Sequence, residues 1–541
     1  MPMQDDFVAF TRFRYTGRDA AADSVAPGEY VNPILAGFYP DPSICRVGRD
    51  YFLVNSTFAY FPGVPIFHSR DLVRWRQIGH VLDRPSQLQI GPRAHTSAGI
   101  YAPTISFHDG VFRMVTTNVD GGGNFYVEAT RPEGPWSDPI WLRDVQGIDP
   151  SFFFDDDGRN YVLNNGGPPD DKSLYDGHRA IWIQEMDFRA GRSVGPRRII
   201  VNGGVDLSTK PIWIEGPHLL KRDGWYVLHS AEGGTGTQHS QVVFRSRSVW
   251  GPYEPWSGNP ILTQRDLPND RADPITCTGH ADIIETEDGD WWAVFLGCRP
   301  DHDGHELTGR ETFLHLVEWI DGWPRILAPR TVLPHVARTP KLRSAEATTP
   351  PTTGSFEFLD GFESNMMGPD WVMLRTPEAS WHEVGDGRLQ LRPRHALRQR
   401  GNPSFLGRRL QHAQFTAEIN VGVNSIAPGV HAGLVAFQND EHHLFAGLTR
   451  DDAGQLFAFV ERVMCGNNGN AESEHLVKKP LSEDIRNATI RISGDRTRFA
   501  VNLGTSDTFV PLLSSLDARF LSTRVAGGFV GVTIGPHARR A

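Results

Sequence analysis

"YPDPSICRVGRDYFLVNST", Tyr39 to Thr57, decides the fold. It runs as a short motif around Asp41, a brief apolar strand, a tight turn and a strand led by Tyr51 and Phe52. Asp41 sits between Pro40 and Pro42, whose rings fix their own φ and restrict the backbone on either side. Pro and Asp are also ordinary turn residues. The stretch therefore acquires meaning only if the chain repeats it.

It does, four more times. "HDGVFRMVTTN", "DDGRNYVLNNG", "RDGWYVLHSAE" and "EDGDWWAVFLG" each place turn residues before an aromatic, β-branched run. The matching aromatics are Phe52, Phe112, Tyr161, Tyr226 and Trp292, spaced by 60, 49, 65 and 66 positions. Asp-Gly or an equivalent before such a run is a hairpin signal. Ten to twelve positions upstream of each aromatic stand Asp41, Ala102, Asp149, Glu215 and His280, each in a motif of the kind "DPSI", "APTI", "DPSF", "EGPHL" or "GHADI". A unit of about four strands, repeated five times, fits a β-propeller. First strands line a propeller's axis, so residues at their starts converge. This predicts three carboxylates, Asp41, Asp149 and Glu215, at one channel mouth, with His280 beside them.

Composition agrees with an all-β chain. The 541 residues include 55 Gly and 39 Pro, which favours many turns over long helices. A net charge of −10 without clustered Lys and Arg argues against nucleic acid. No apolar run approaches the ~20 residues that span a bilayer, and the first thirty residues do not read as a secretory signal. Cys45, Cys277, Cys298 and Cys465 have no CxxC spacing and read as thiols of a reducing, cytoplasmic compartment. The Asn-x-Thr tripeptides at Asn55 and Asn487 are then chance matches.

Beyond a Thr- and Pro-rich stretch, "RTPKLRSAEATTPPTTG", short segments such as "FTAEINVGV" and "ATIRISGD" alternate apolar and polar residues. They predict a β-sandwich. The expected organisation is an N-terminal extension (1–29), a five-bladed propeller (30–328), a linker or surface strap (329–354) and a sandwich (355–541). His442-His443 lacks a third metal ligand at sensible spacing and reads as a strand edge. The loop "DHDGHE", Asp301 to Glu306, is expected to rim the channel. Phe58, Tyr60 and Phe61 are candidates for an apolar platform under a sugar ring.

Carboxylates gathered in this way suit glycosidic bond hydrolysis, in which a protonated one serves the leaving oxygen and an ionised one activates water or attacks. Like charges at one mouth and a dry pocket push their pKa values apart. With the ordered set "YPDPS", "GIYAPTISFHDG", "GIDPSFFFDDDG", "IEGPHLLKRDGW", "TGHADIIETEDGDWW", "GRET", "EWIDGWP" and "FLGRRLQH", the chain resembles glycoside hydrolase family 43. The similar branch comprises β-xylosidases and α-L-arabinofuranosidases that carry a C-terminal sandwich. The resemblance implies Asp41 as general base, Glu215 as general acid and Asp149 as the carboxylate that tunes the acid. It implies Arg310 and His280 as sugar-site residues, inversion of configuration, a small oligosaccharide substrate and no required cofactor. It allows a divalent cation such as calcium near His280, and a homo-oligomer. Here the sandwich ends at "PHARRA" after "GGFVG", so either a closing strand is absent or the terminus differs. Two other readings compete. One is a non-catalytic carbohydrate-binding propeller; the other is a retaining relative acting on fructosides. Between the pentoses, β-xyloside is preferred and α-L-arabinofuranoside is the near alternative.

Overall fold

A computed structural model describes residues 7–268, 270–342, 351–466, 469–505 and 508–541. Five antiparallel sheets follow one another from Ser43 to Arg325, the fourth with five strands and the others with four. Their first strands are Ser43–Val47, Ile100–His108, Ile148–Phe154, Glu215–Arg222 and Thr276–Glu285. Each is followed by the aromatic strand seen in the repeat, for example Asp50–Val54 and Trp291–Cys298. These are the five blades of a propeller.

Polar side chains lace the first strands around the axis. Ser43 Oγ donates to Asp282 of blade five at 2.8 Å and accepts the Ile105 N–H of blade two. Ser151 Oγ donates to the Pro217 carbonyl, joining blades three and four, and Gln241 bridges to both backbone groups of Ala281. Residues 32–39 close the ring against blade five. Asn32 takes both the N–H and the carbonyl of Leu314, and the Tyr39 N–H donates to the Arg310 carbonyl.

The sandwich has two eight-stranded sheets with a core between them that includes Phe13, Trp371, Ile419 and Leu434. Gln414–Gly422, in the outer sheet, alternates buried and solvated positions. Val430–Asn439, in the other sheet, is buried almost throughout. The reason is that its second face packs on the propeller through Phe405, Val435, Phe437, Phe445, Phe38 and Tyr60. A sheet covered on both faces loses its period-two pattern.

One expectation needs correction, and two open alternatives narrow to one. Within the expected extension 1–29, the described residues from 7 onward are not separate: Val8–Arg18 is a strand of the outer sheet, paired with Phe356–Asp360, Arg388–Leu391 and Gln414–Gly422. The partners lie hundreds of positions away, so no local pattern announces them. The stretch 329–354 is a strap where described: Val336–Arg338 pairs with Glu29–Val31, and Thr352 and Thr353 donate to the Ile34 and Pro33 carbonyls. Residues 343–350 lie outside the described residues. A closing strand is present: Thr533–Arg540 sits between Ser404–Arg409 and Val430–Asn439.

Candidate active site

Asp41, Asp149, Glu215 and His280 converge on a cavity of about 420 Å³ at one end of the axis. The register with which they arrive differs from a simple repeat. Blades two to five each carry an irregularity near the start of the first strand, at Tyr101/Thr104, Ile148/Ser151, Glu215/His218 and Gly279/Asp282. The position just after the pairing break is left-handed in Asp149, Gly216 and His280, with φ of 53°, 54° and 49°. Asp41, at φ 51°, occupies the same place in blade one. Gly216, not Glu215, is therefore the equivalent of Asp41. The pocket is built from two consecutive rings of residues: Tyr101, Ile148 and Glu215, then Asp41, Ala102, Asp149 and His280. Glycine is needed at 216, since a Cβ there would lie 2.6 Å from His280 Nε2. Each non-glycine residue in this conformation stores on the order of 1–3 kcal/mol, which surrounding contacts must offset.

Asp41 is 7% exposed and held by three partners. Ser56 Oγ donates to Oδ2 at 2.6 Å, Arg310 Nη1 lies 3.4 Å from Oδ1, and His280 Nδ1 lies 3.5 Å from it. Asn55 Nδ2 donates to the Tyr39 and Pro40 carbonyls and fixes the turn behind it. Burial pushes the Asp41 carboxyl up, but Arg310, His280 and the Ser56 hydroxyl outweigh it and hold it below the usual range. Glu215 is as buried, and the pull of Arg310 and Arg179 on it is outweighed. Burial, then the charges of Asp149 and Asp41, push its carboxyl well above the usual range. Asp149 is also raised, chiefly by burial, and accepts the Gly216 N–H at 3.2 Å. Two carboxyl groups of one pocket thus hold opposite protonation states over a common pH window, the condition for paired acid and base catalysis.

An aromatic wall completes the cavity. Phe58 stacks on Phe529 with centroids 6.0 Å apart, and Tyr101 meets both edge-on. Arg310 lies over the two phenyl rings at 5.9 and 5.3 Å. Phe529 belongs to the sandwich, which therefore supplies part of the pocket. Trp213 also lines the cavity, 37% exposed, with Arg179 over its ring at 4.8 Å.

Of the platform candidates, Phe58 lines the cavity. Tyr60 and Phe61 do not: they form a two-residue strand that pairs with Val372–Leu374 of the sandwich, and Tyr60 is fully buried against Thr533. Alternation explains this, because one sharp turn at left-handed Phe58 sends the next residues into the domain interface. The loop Asp301–Glu306 lines a second cavity of about 480 Å³ that adjoins the first at Thr235, Arg310 and Phe529. Burial pushes Glu306 in that loop up to about 7.

The sequence reading passed over Tyr101, Trp213 and Phe529. Tyr101 and Phe529 stood inside the motifs "GIYAPT" and "GGFVG", and Trp213 directly before "IEGPHL".

Among the described residues no group of three or more His, Cys, Asp or Glu is placed to hold a metal ion. His280 faces Asp41 on one nitrogen and packs against Gly216 on the other. His442 and His443 bond to Asn439, but the expected strand edge is corrected: both are buried, at the start of a strand flanked on both sides in its sheet.

Fold and pocket define a glycoside hydrolase: a five-bladed propeller with unlike carboxyl groups at its axis and a sandwich closing one wall. Residues 30–324 match the model for glycosyl hydrolases family 43, and 359–540 match the beta xylosidase C-terminal concanavalin A-like domain. A xylosidase/arabinosidase of Butyrivibrio fibrisolvens is 39% identical over 94% of this chain and 95% of its own. A non-reducing end alpha-L-arabinofuranosidase of Bacteroides ovatus is 36% identical over 95% and 92%. Among solved structures, a GH43_12 retrieved from capybara gut metagenome superposes with a TM-score of 0.91 at 38% identity, covering 98% of this chain and 99% of that one. The chain belongs to glycosyl hydrolase family 43, a family of inverting enzymes.

Proposed function

We propose that this hydrolase removes single terminal pentoses from the non-reducing ends of short oligosaccharides, with β-1,4-xylosides as its main substrates and α-L-arabinofuranosides also accepted. The observation that carries the reading is the opposed pair Asp41 and Glu215 in one pocket. Asp41, held ionised by Arg310 and His280, takes a proton from water as it attacks the anomeric carbon. Glu215, held protonated by burial and by Asp149, gives its proton to the departing oxygen. Asp149 keeps the acid charged with its proton and takes no covalent part. Arg310 presents donors to sugar hydroxyls, and the Phe58–Tyr101–Phe529 wall offers apolar faces to the ring.

A cavity of about 420 Å³ is near the small end of the ~300–1,000 Å³ usual for ligand sites, which suits a chain end better than the middle of a polymer. The names of the relatives, which join xylosidase and arabinosidase, support both pentoses. A cytoplasmic setting accords with four free cysteines and with small substrates.

The test compares nitrophenyl β-D-xyloside with nitrophenyl α-L-arabinofuranoside, in the native protein and in Asp41→Ala and Glu215→Ala. The expected result is kcat/KM higher for the xyloside, inversion of the released sugar, and a loss of about 10²–10⁴-fold in each variant. Undiminished hydrolysis in either variant would falsify the assignment of roles. A higher kcat/KM on the arabinofuranoside would reverse the order of the substrates.

A further inference from the structure

Glu311 follows Arg310 directly, yet it faces away from the pocket and is fully buried. Its Oε2 accepts Arg299 Nε at 2.6 Å, and its Oε1 accepts Arg299 Nη2 at 2.8 Å. The same Oε1 also accepts the Gly37 N–H at 2.9 Å. The remaining nitrogen of Arg299, Nη1, donates to Asp19 Oδ2 at 2.9 Å. Asp19 lies one residue after the N-terminal strand of the sandwich. A chain of charge-assisted bonds therefore runs Asp19–Arg299–Glu311–Gly37, from the sandwich to the loop that carries Asp41.

Other bonds hold the loop at its carbonyls, from Arg409 to Phe38, from Thr312 and Asn55 to Tyr39 and from Asn55 to Pro40, whereas Glu311 takes the N–H at its start. Gly37 is left-handed at φ 89°, and a Cβ there would press on Gln411 and the Leu410 carbonyl at 3.0 Å. Two residues on, the Tyr39 N–H donates to the Arg310 carbonyl. Two further on, Arg310 Nη1 reaches Asp41. The dipeptide Arg310-Glu311 thus grips the 37–41 segment at three points, two by backbone N–H groups and one at the carboxylate. Two carboxylates share one guanidinium here, with exposures of 10%, 19% and 0% for the Asp19, Arg299 and Glu311 side chains. Simple stabilisation does not call for this: a buried ion pair is often no better than an apolar replacement. Fixing the geometry of a loop does call for it, since bidentate pairing is directional.

We infer that Glu311 is a positioning residue for the catalytic base, holding the Gly37–Asp41 loop against Arg310 through a buried relay anchored in the sandwich at Asp19. The inference rests on the reading of Asp41 as the base. If the loop loosens, Asp41 drifts from Arg310, His280 and Ser56. Those contacts hold its carboxyl low, so drift raises it, and the attacking water is aimed less well. Substrate binding depends on the aromatic wall and changes less.

Kinetics of Glu311→Gln, Arg299→Lys and Asp19→Asn on an aryl xyloside test this, with the pH profile of kcat/KM and the melting temperature measured on each. The expected result for Glu311→Gln is a fall in kcat of about 10–100-fold with KM within about twofold, and an acid limb moved to higher pH. Arg299→Lys keeps the charge and should recover part of kcat. Asp19→Asn, at the sandwich end of the relay, should show the same shifts in weaker form and keeps the test open if Glu311→Gln does not fold. A lowered melting temperature with native kcat and an unmoved acid limb, in whichever of these variants folds, would overturn the inference. An active Asp41→Ala variant would instead remove the reading beneath it, so the two failures are distinguishable.

Discussion

The channel mouth and the propeller-facing sheet of the sandwich bury titratable groups equally well, and treat them differently. At the mouth, Asp41, Asp149 and Glu215 are each 6–7% exposed and face one another across an open cavity. In the sheet, Asp440 is 1% exposed at its side chain and meets Arg375, itself fully buried, through two contacts of 2.8 Å. Arg375 also donates to the Ala94 carbonyl, and Thr96 Oγ1 donates to Asp440, so this pair pins the sandwich to the loop after blade one. Burial is common to both regions; saturation is not. This pair gives both its charges several partners and obtains rigidity. The mouth leaves Glu215 without a cation of its own and obtains a proton held ready.

The largest effect that would break this comparison concerns the saturated pair. Asp440→Ala strands a buried guanidinium, which destabilises by about 3–5 kcal/mol. The melting temperature should fall sharply while the pH profile of the residual activity keeps its shape, because Asp440 does not face the carboxylates. A mild melting change, or a moved acid limb, would mean that the two regions are not separable in this way.

Next in size is Asp149→Asn, which removes a like charge from the mouth. Asp149 raises the Glu215 carboxyl, so its neutralisation lowers that carboxyl and the basic limb of kcat/KM moves to lower pH. The accompanying fall in kcat is about 10²-fold. A basic limb that stayed in place would show that burial alone sets the acid. A smaller effect tests the wall that the sandwich lends. Phe529→Ala loses an aromatic stack and a cation–π contact of about 1 kcal/mol, so KM should rise about fivefold with kcat nearly kept.

These regions also differ in how legible they were before any fold was seen. The blades announced themselves because each hairpin is local: turn residues, then an aromatic strand, five times over. Asp41 and Asp149 were readable for the same reason. Glu215 was found by its motif but placed one residue out of register, because a β-irregularity inserts a residue without changing composition. Val8–Arg18, Phe529 and the Tyr60–Phe61 strand were invisible for a different reason. Each is defined by partners hundreds of positions away, and the doubly covered sheet had lost the alternation that would have marked its faces.

The smallest effect sharpens the comparison from the sandwich side. Among its buried histidines, His443 and His537 are pushed down to about 3, burial being the leading cause in both. They remain neutral in the fold but take up a proton near pH 6.5 once unfolded. The unfolded state then binds more protons, so stability is full above about pH 6.5 and declines as pH falls toward 3. His443 Nδ1 donates to the Asn439 carbonyl at 3.4 Å, a bond that an asparagine amide can imitate. His443→Asn should therefore lose little at neutral pH, and around pH 5.5 should be spared about 1 kcal/mol of the native decline. Denaturant midpoints at the two pH values read this directly. Parallel declines in variant and native protein would mean that His443 titrates alike in both states. The acid limb of catalysis should not move in either case, since Asp41 answers to Arg310, His280 and Ser56 and not to the sandwich histidines.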